Sequence, residues 1–231
     1  MLVILAHPDD ETAIGPMLAM YARTNKVYYV VATDGRYGTR VFKTAEDTLI
    51  MIRANECQCS CSKLGIQPPF LLGFHDEFGL KTGIGEYFRQ TKALKDSLIQ
   101  KFELIKPDVV ITFGPDGDTG HPDHRIIGSI VTEVILKEGW YHKYPLYYLG
   151  WTKSQAAKFG IEDLNYLQEK YFTTATRFTQ EDEKKSFESI RCYQSQNTNA
   201  EIQEWIKTEA NDTANVLYFR KFEISPGKST F

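Results

Sequence analysis

The chain opens with LVILAHPDDE over residues 2–11. Residues 2–6 form a short unbroken apolar run, the mark of a strand buried on both faces as in a parallel sheet. Pro8 fixes its own φ and keeps His7 extended, so the chain leaves the strand at a defined point. Ile14, Met17, Leu18 and Tyr21 then recur at helical spacing, with Pro16 in the first turn of the helix. The unit is a buried strand, a polar turn and a helix.

The same unit repeats along the chain. Strands are expected at 26–34 (KVYYVVATD), 69–74 (PFLLGF), 108–113 (DVVITF) and 144–150 (YPLYYLG). Helices are expected at about 46–64, with Gly65 as the stop, at 86–105 before Pro107, and at 122–138. This alternation predicts an α/β fold: a Rossmann-like, doubly wound, mostly parallel sheet with helices on both faces. The last third is less regular. A strand is expected at 171–178, helices at 180–193 and 200–208, and a final strand at 216–224. No linker or repeat interrupts the chain, so residues 1–231 read as a single domain. Residues 1–150 form its core, and 151–231 are a C-terminal extension of the same domain.

Composition narrows the function classes. A net charge of −3 and a pI near 6.0 give no footprint for nucleic acid. No apolar run approaches the ~18 residues of a membrane span, and residues 1–11 lack the basic start of a signal peptide. A cytoplasmic location is therefore expected. Cys57, Cys59 and Cys61 lie two apart on a predicted helix, poor geometry for a metal cluster or for disulfides among themselves, and Cys192 stands alone. Reduced thiols are expected.

The polar residues gather where such a sheet binds ligands, outside the carboxyl ends of its strands. HPDDE follows the first strand, TDGRYGTR closes the second, HDEFG follows the third and GPDGDTGHPDH follows the fourth. Four of the five histidines lie in these segments. Helix capping accounts for some of the acids but not for the histidines. A His-Pro-Asp core occurs twice, at 7–9 and at 121–123. The two strand ends can bring His7, Asp10 and His124 together, a set of two imidazoles and one carboxylate with open positions. That set suits Zn2+ in a hydrolase, and Fe2+ less often. Asp9 and His121 are left over, and a metal hydrolase needs a base for water and a donor for the oxyanion. Nucleotide binding is disfavoured, because G-x-G-x-x-G and G-x-x-x-x-G-K-[ST] are both missing and Asp116 and Asp118 would repel phosphate.

AHPDDE (6–11) and GPDGDTGHPDH (114–124) together resemble the PIG-L/LmbE-like deacetylases of N-acetylglucosaminyl compounds. TDGRYG (33–38), RANECQCSCSKLGI (53–66), FHDEFGL (74–80) and KKSFESIRCYQSQ (184–196) resemble further motifs of that family. Three positions depart from its pattern: Ser60 and Ser189 replace Ala, and Tyr193 replaces His. The resemblance covers 1–150 well and the rest thinly. It implies a metal-dependent N-deacetylase acting on a small-molecule amino-sugar substrate. It implies His7, Asp10 and His124 as metal ligands, Asp9 as general base and His121 as the stabiliser of the tetrahedral intermediate. Asp123 would orient His121, and Arg53 and Asp76 would contact substrate. Tyr37, Phe74, Phe78 and Tyr87 are placed either to stack on sugars or to pack. Another amide or ester hydrolase, or a sugar- or nucleotide-binding protein without turnover, are the alternative readings. The oligomeric state, a homo-oligomer included, is left open.

Overall fold

The computed structural model describes residues 1–159 and 165–224. Five strands run parallel: β1 (Leu2–Leu5), β2 (Tyr28–Thr33), β3 (Phe70–Phe74), β4 (Val110–Phe113) and β5 (Leu146–Thr152). Two late strands, β7 (Thr174–Arg177) and β8 (Val216–Lys221), join antiparallel, and β6 (Tyr166–Leu167) pairs with the end of β5. The order along the sheet is β3-β2-β1-β4-β5-β8-β7. The chain therefore winds outward from β1 in one direction and from β4 in the other. The crevice between β1 and β4 is the switch point where open α/β sheets bind their ligands.

The helices are α1 (Gly15–Ala22), α2 (Glu46–Leu64), α3 (Ile84–Ile105), α4 (Pro122–Lys137), α5 (Lys153–Lys158), α6 (Gln180–Ile190) and α7 (Asn199–Ala210). α1, α2 and α6 pack together, and α3 packs with α4. Right-handed crossovers that wind in opposite directions put these two groups on opposite faces of the sheet. Leu2, Val3, Ile4 and Leu5 are fully buried, as the unbroken apolar run requires. α2 stops at Gly65, where φ is +76°. Among the described helices, none is long and apolar enough to cross a membrane.

The α/β alternation and the mostly parallel sheet match the expectation from sequence. The first helix is preceded by a 3-10 segment, Asp10–Ile14. The last third holds more elements than its periodicity shows, because α5 has six residues and β6 two.

The expectation of reduced thiols fails for one pair. Cys59 and Cys192 form a disulfide across a sequence separation of 133 residues. Cys57 and Cys61 are free and buried. A helix turns Cys59 away from Cys57 and Cys61, and that outward direction faces the chain just after α6. Tertiary packing, not local spacing, made the pair.

Candidate active site

Each motif is aimed by its own local structure. Thr33 ties the end of β1 to β2, donating to Ala6 O from its backbone N at 2.8 Å and from its hydroxyl at 3.0 Å. Tyr29 donates its hydroxyl to His7 O at 3.1 Å. The Asp10 carboxylate folds back over the turn, its Oδ2 accepting from Ala6 N at 3.0 Å and His7 N at 2.7 Å. Asp9, between them, sits at φ 121°. A non-glycine residue is strained there, and such strain persists only where neighbours over-determine it. Here Asp9 O accepts from Thr12 N at 3.0 Å and Thr12 Oγ1 at 2.6 Å.

The second motif is placed by close packing of α4 on β4. A Cβ at Gly128 would lie 2.3 Å from Phe113 O, so only glycine lets the helix approach this far. The approach stacks the His124 ring on Phe113, with centroids 4.0 Å apart and planes 3° from parallel. His124 Nδ1 meets Gly117 O at 3.1 Å. His121 caps α4, its Nδ1 accepting from Asp123 N at 3.2 Å.

The two motifs converge. His7 Nδ1 lies 3.3 Å from His124 Nε2. The Asp10 carboxylate lies 3.6 Å from His7 Nδ1 and 3.1 Å from His124 Nε2. The far nitrogens set the tautomers. His124 Nδ1 donates to a carbonyl, and His7 Nε2 donates to Asp123 Oδ2 at 3.1 Å. Two lone pairs and a carboxylate thus face one point, an arrangement that repels itself unless a proton or a cation lies between. In the bare protein protons fill that need. Burial opposes protonation of both rings, but the charge and hydrogen bond of Asp10 pull the pKa of His124 up, and hydrogen bonds from Asp10 and Asp123 with the charges of Asp10 and Asp76 carry His7 to about 10. The same donor set, with each imidazole held by a second-layer acceptor, fits a small divalent cation.

Asp9 stands beside the triad and outside it. Its carboxylate accepts from Arg53 at 2.9 Å. Burial raises its pKa, the Arg53 charge opposes that, and the result is about 6. Arg53 is 4% exposed. Its guanidinium also donates to Pro8 O at 2.5 Å and Gly35 O at 3.1 Å. Asp76 accepts from Gly35 N and Tyr37 N, both at 2.9 Å, and so shapes the loop after β2.

One expected pairing is corrected. The Asp123 side chain does not hold His121; it holds His7 through Nε2 and also accepts from Glu77 N at 2.9 Å. Glu77, Phe78 and Gly79 all have left-handed backbone angles, and that turn brings the amide of Glu77 to Asp123. Only the backbone N–H of Asp123 reaches His121. Burial and the charges on His7 and His124 lower the pKa of His121, so it is a neutral ring with its hydrogen on Nε2.

Two recesses meet at Asp9. The smaller, about 310 Å³, is lined by residues including His7, Arg53, Asp76, His121, Tyr37 and Gln196. Arg53 Nε and Asp123 Oδ1 are buried behind this recess without a hydrogen-bond partner among the described residues. The larger, about 640 Å³, adjoins Asp10 and His124. Phe78 is fully buried in the core, so it packs; Phe74 and Tyr87 pack against the core. Tyr37 alone of the four predicted aromatics lines a recess next to the triad.

Glu11 is missed by the sequence reading, yet it is fully buried at the centre of the site. It accepts from Ser60 Oγ, from the Tyr193 hydroxyl at 2.5 Å and from Asp9 N at 3.3 Å. The signal lies in two departures from the family pattern, Ser60 and Tyr193, which share this one partner. Ser195 donates to Glu56, and Gln196 donates to Gly38 O at 2.7 Å. The segment after α6 thus closes the site from its far side.

These features define an α/β protein with a candidate divalent-metal centre at the switch point of a Rossmann-ordered sheet. The family described as PIG-L: GlcNAc-PI de-N-acetylase matches residues 2–135, and the chain belongs to that family. The chain is 27% identical over 188 residues to the 1D-myo-inositol 2-acetamido-2-deoxy-alpha-D-glucopyranoside deacetylase of Mycolicibacterium vanbaalenii, covering 74% of this chain and 66% of that protein. It is 30% identical over 143 residues to the probable N-acetyl-alpha-D-glucosaminyl L-malate deacetylase 2 of Bacillus subtilis, covering 60% and 61%. The chain spans about half to two thirds of the length of the curated relatives it matches. In fold it is similar to the N,N'-diacetylchitobiose deacetylase from Pyrococcus horikoshii, with TM-score 0.64, 21% identity and coverage of 97% and 86%. It is also similar to the zinc-inhibited form of teicoplanin deacetylase Orf2, with TM-score 0.70, 15% identity and coverage of 97% and 99%.

Proposed function

We propose that the protein is a metal-dependent N-deacetylase that removes acetyl from an amino sugar or an N-acetylglucosaminyl conjugate. The observation that carries this reading is the convergence of His7 Nδ1, His124 Nε2 and the Asp10 carboxylate, with another acid, Asp9, beside them and free of the set. Those three residues would hold the metal, Zn2+ or, as the alternative, Fe2+. Bound there, such a cation would supply Lewis acidity, bringing water to lose a proton near pH 7 and polarising a carbonyl.

The remaining work falls to side chains. Asp9, with a pKa of about 6, is ionised at pH 7 and takes the proton of the attacking water. It then returns that proton to the departing amine. Arg53 keeps Asp9 ionised and fixes where its oxygens point. Neutral His121 donates its Nε2–H to the oxygen that gains charge as the carbonyl is attacked. Asp123 holds His7 with its Nδ1 lone pair turned to the cation. The smaller recess takes the sugar ring. Arg53 and Asp76 line it and are the groups to contact the ring's hydroxyls.

The test is acetate release from a panel of N-acetylated amino-sugar glycosides. Release that stops on chelation and returns with zinc supports the reading. Hydrolysis of simple esters or peptides with no acetate from any amino sugar refutes it.

A further inference from the structure

We propose that the larger recess receives the group attached to the amino sugar, and that it selects neutral or amine-bearing groups over carboxylate- or phosphate-bearing ones. The inference rests on the deacetylase reading for the placement of the acetamide at the triad. With the ring in the smaller recess, the larger one, of about 640 Å³, meets it at Asp9.

Its walls combine flat aromatic surface with fixed negative charge. Trp151 and Phe159 meet edge to face with centroids 5.3 Å apart, and Trp205 lies on α7. Such rings offer apolar faces to the C–H side of a sugar or a similar body. Both indoles are locked by acids. Trp151 Nε1 donates to Asp118, and Trp205 Nε1 donates to Glu209 at 2.8 Å. Glu201 and Glu204 line the same cavity, and Asp9 and Asp10 close its floor.

Among the described residues, the positive groups in this lining are Arg40 and, at the floor, His124, and both are engaged, His124 with Asp10 at 3.1 Å. Arg40 donates to Glu201, to Asn197 Oδ1 at 3.2 Å and to Gln196 O at 3.4 Å. An anion entering the cavity meets the carboxylates of Asp118, Glu209, Glu201 and Glu204, while the positive groups that face it, Arg40 and, at the floor, His124 or the metal it would hold, are already paired with acids. A cation meets the reverse. Burial already raises the pKa of Asp118 to about 6 and of Glu209 to about 7, so this wall holds its negative charge at a cost that a further anion increases.

Two of the three tryptophans in the chain line this cavity, so ligand binding can be read by their fluorescence. The probes are three N-acetylglucosaminides of equal size carrying an aminoethyl, a hydroxyethyl or a carboxymethyl group. Kd is measured at pH 7.5 and low salt on the full chain, with and without Zn2+. The ammonium glycoside is expected to bind about tenfold more tightly than the carboxylate, with the neutral one between. In an Asp118→Asn, Glu209→Gln double variant both indoles keep an acceptor oxygen, and the ratio is expected to fall severalfold, with the remaining carboxylates of the lining keeping part of the preference. Equal affinities in the wild type, a preference for the carboxylate, or an unchanged ratio in the double variant would overturn the proposal. Acetate release from the same glycosides is followed in parallel. Its absence counts against the deacetylase reading alone, while the Kd ratio still decides the charge preference.

Discussion

Asp9 concentrates the site's requirements in one residue. As the proposed base it would have to stay outside the ligand set, remain ionised near neutral pH and aim at a water. Its φ of 121° turns it off the path of the strand, and Arg53 at 2.9 Å holds down its pKa against burial. Removing that charge, as in Arg53→Met, raises the pKa of Asp9. The acid limb of the kcat/KM profile should then move to higher pH, by about one unit or more; an unmoved limb would separate Arg53 from the base. Glu11 makes a second prediction. Burial lifts its pKa from 4.5 to about 7, with Ser60 and Tyr193 opposing the lift. The folded state thus keeps a proton that the unfolded state releases. Its contribution to stability is complete below pH 4.5 and is lost as pH rises through about 7. In chelator-treated protein, wild type should lose stability relative to Glu11→Gln between about pH 5 and 8, on the order of 2 kcal/mol. Denaturant melts at the two pH values measure this, and a flat difference would refute it. Glu11 is hidden in the sequence because an acid after HPDD reads as a helix-start residue. Only the fold shows Ser60 and Tyr193 arriving from α2 and from the segment after α6.

At the scale of elements, α2 and the end of α6 carry the supports of the site. Arg53, Glu56 and Ser60 come from the first, and Tyr193, Ser195 and Gln196 follow the second. The Cys59–Cys192 bridge joins them beside Ser60 and Tyr193. Closing a loop of this length restricts the unfolded chain, and native bridges commonly contribute about 2–4 kcal/mol. A Cys59→Ala, Cys192→Ala variant should therefore melt roughly 5–15 °C lower under oxidising conditions. Thiol titration of the unreduced, unfolded wild type should find two free thiols, from Cys57 and Cys61, and four would contradict the bridge. This pairing is not legible in the sequence, since 133 residues separate its ends and the helix reading excludes only the local pairs. By contrast, β1 to β4 and α2 to α4 are legible, because unbroken apolar runs, Gly65 and Pro107 mark them locally. α5 and β6 are too short to show any period.

Across the whole molecule, the order β3-β2-β1-β4-β5 puts the loops after β1 and β4 side by side, and this is why two similar motifs far apart in the chain form one site. The meeting of His7, Asp10 and His124 can be read from sequence because topology alone dictates it. The partner of Asp123 cannot, since it depends on a left-handed turn at 77–79. We propose that the core and the C-terminal extension fold as one unit, because β8 pairs with β5 and the segment after α6 closes the site. A single cooperative transition, coincident by fluorescence and circular dichroism, is expected on denaturation; two separated transitions would divide the chain near residue 150.

We propose that Asp9 acts as base beside a metal held by His7, Asp10 and His124. This is tested most directly by acetate release from an N-acetylglucosaminide by zinc-loaded Asp9→Ala, measured at metal content equal to wild type. One bound metal per chain and a rate lower by about 100-fold or more are expected. Near-normal release by that variant at full metal content would contradict a role for Asp9 as base.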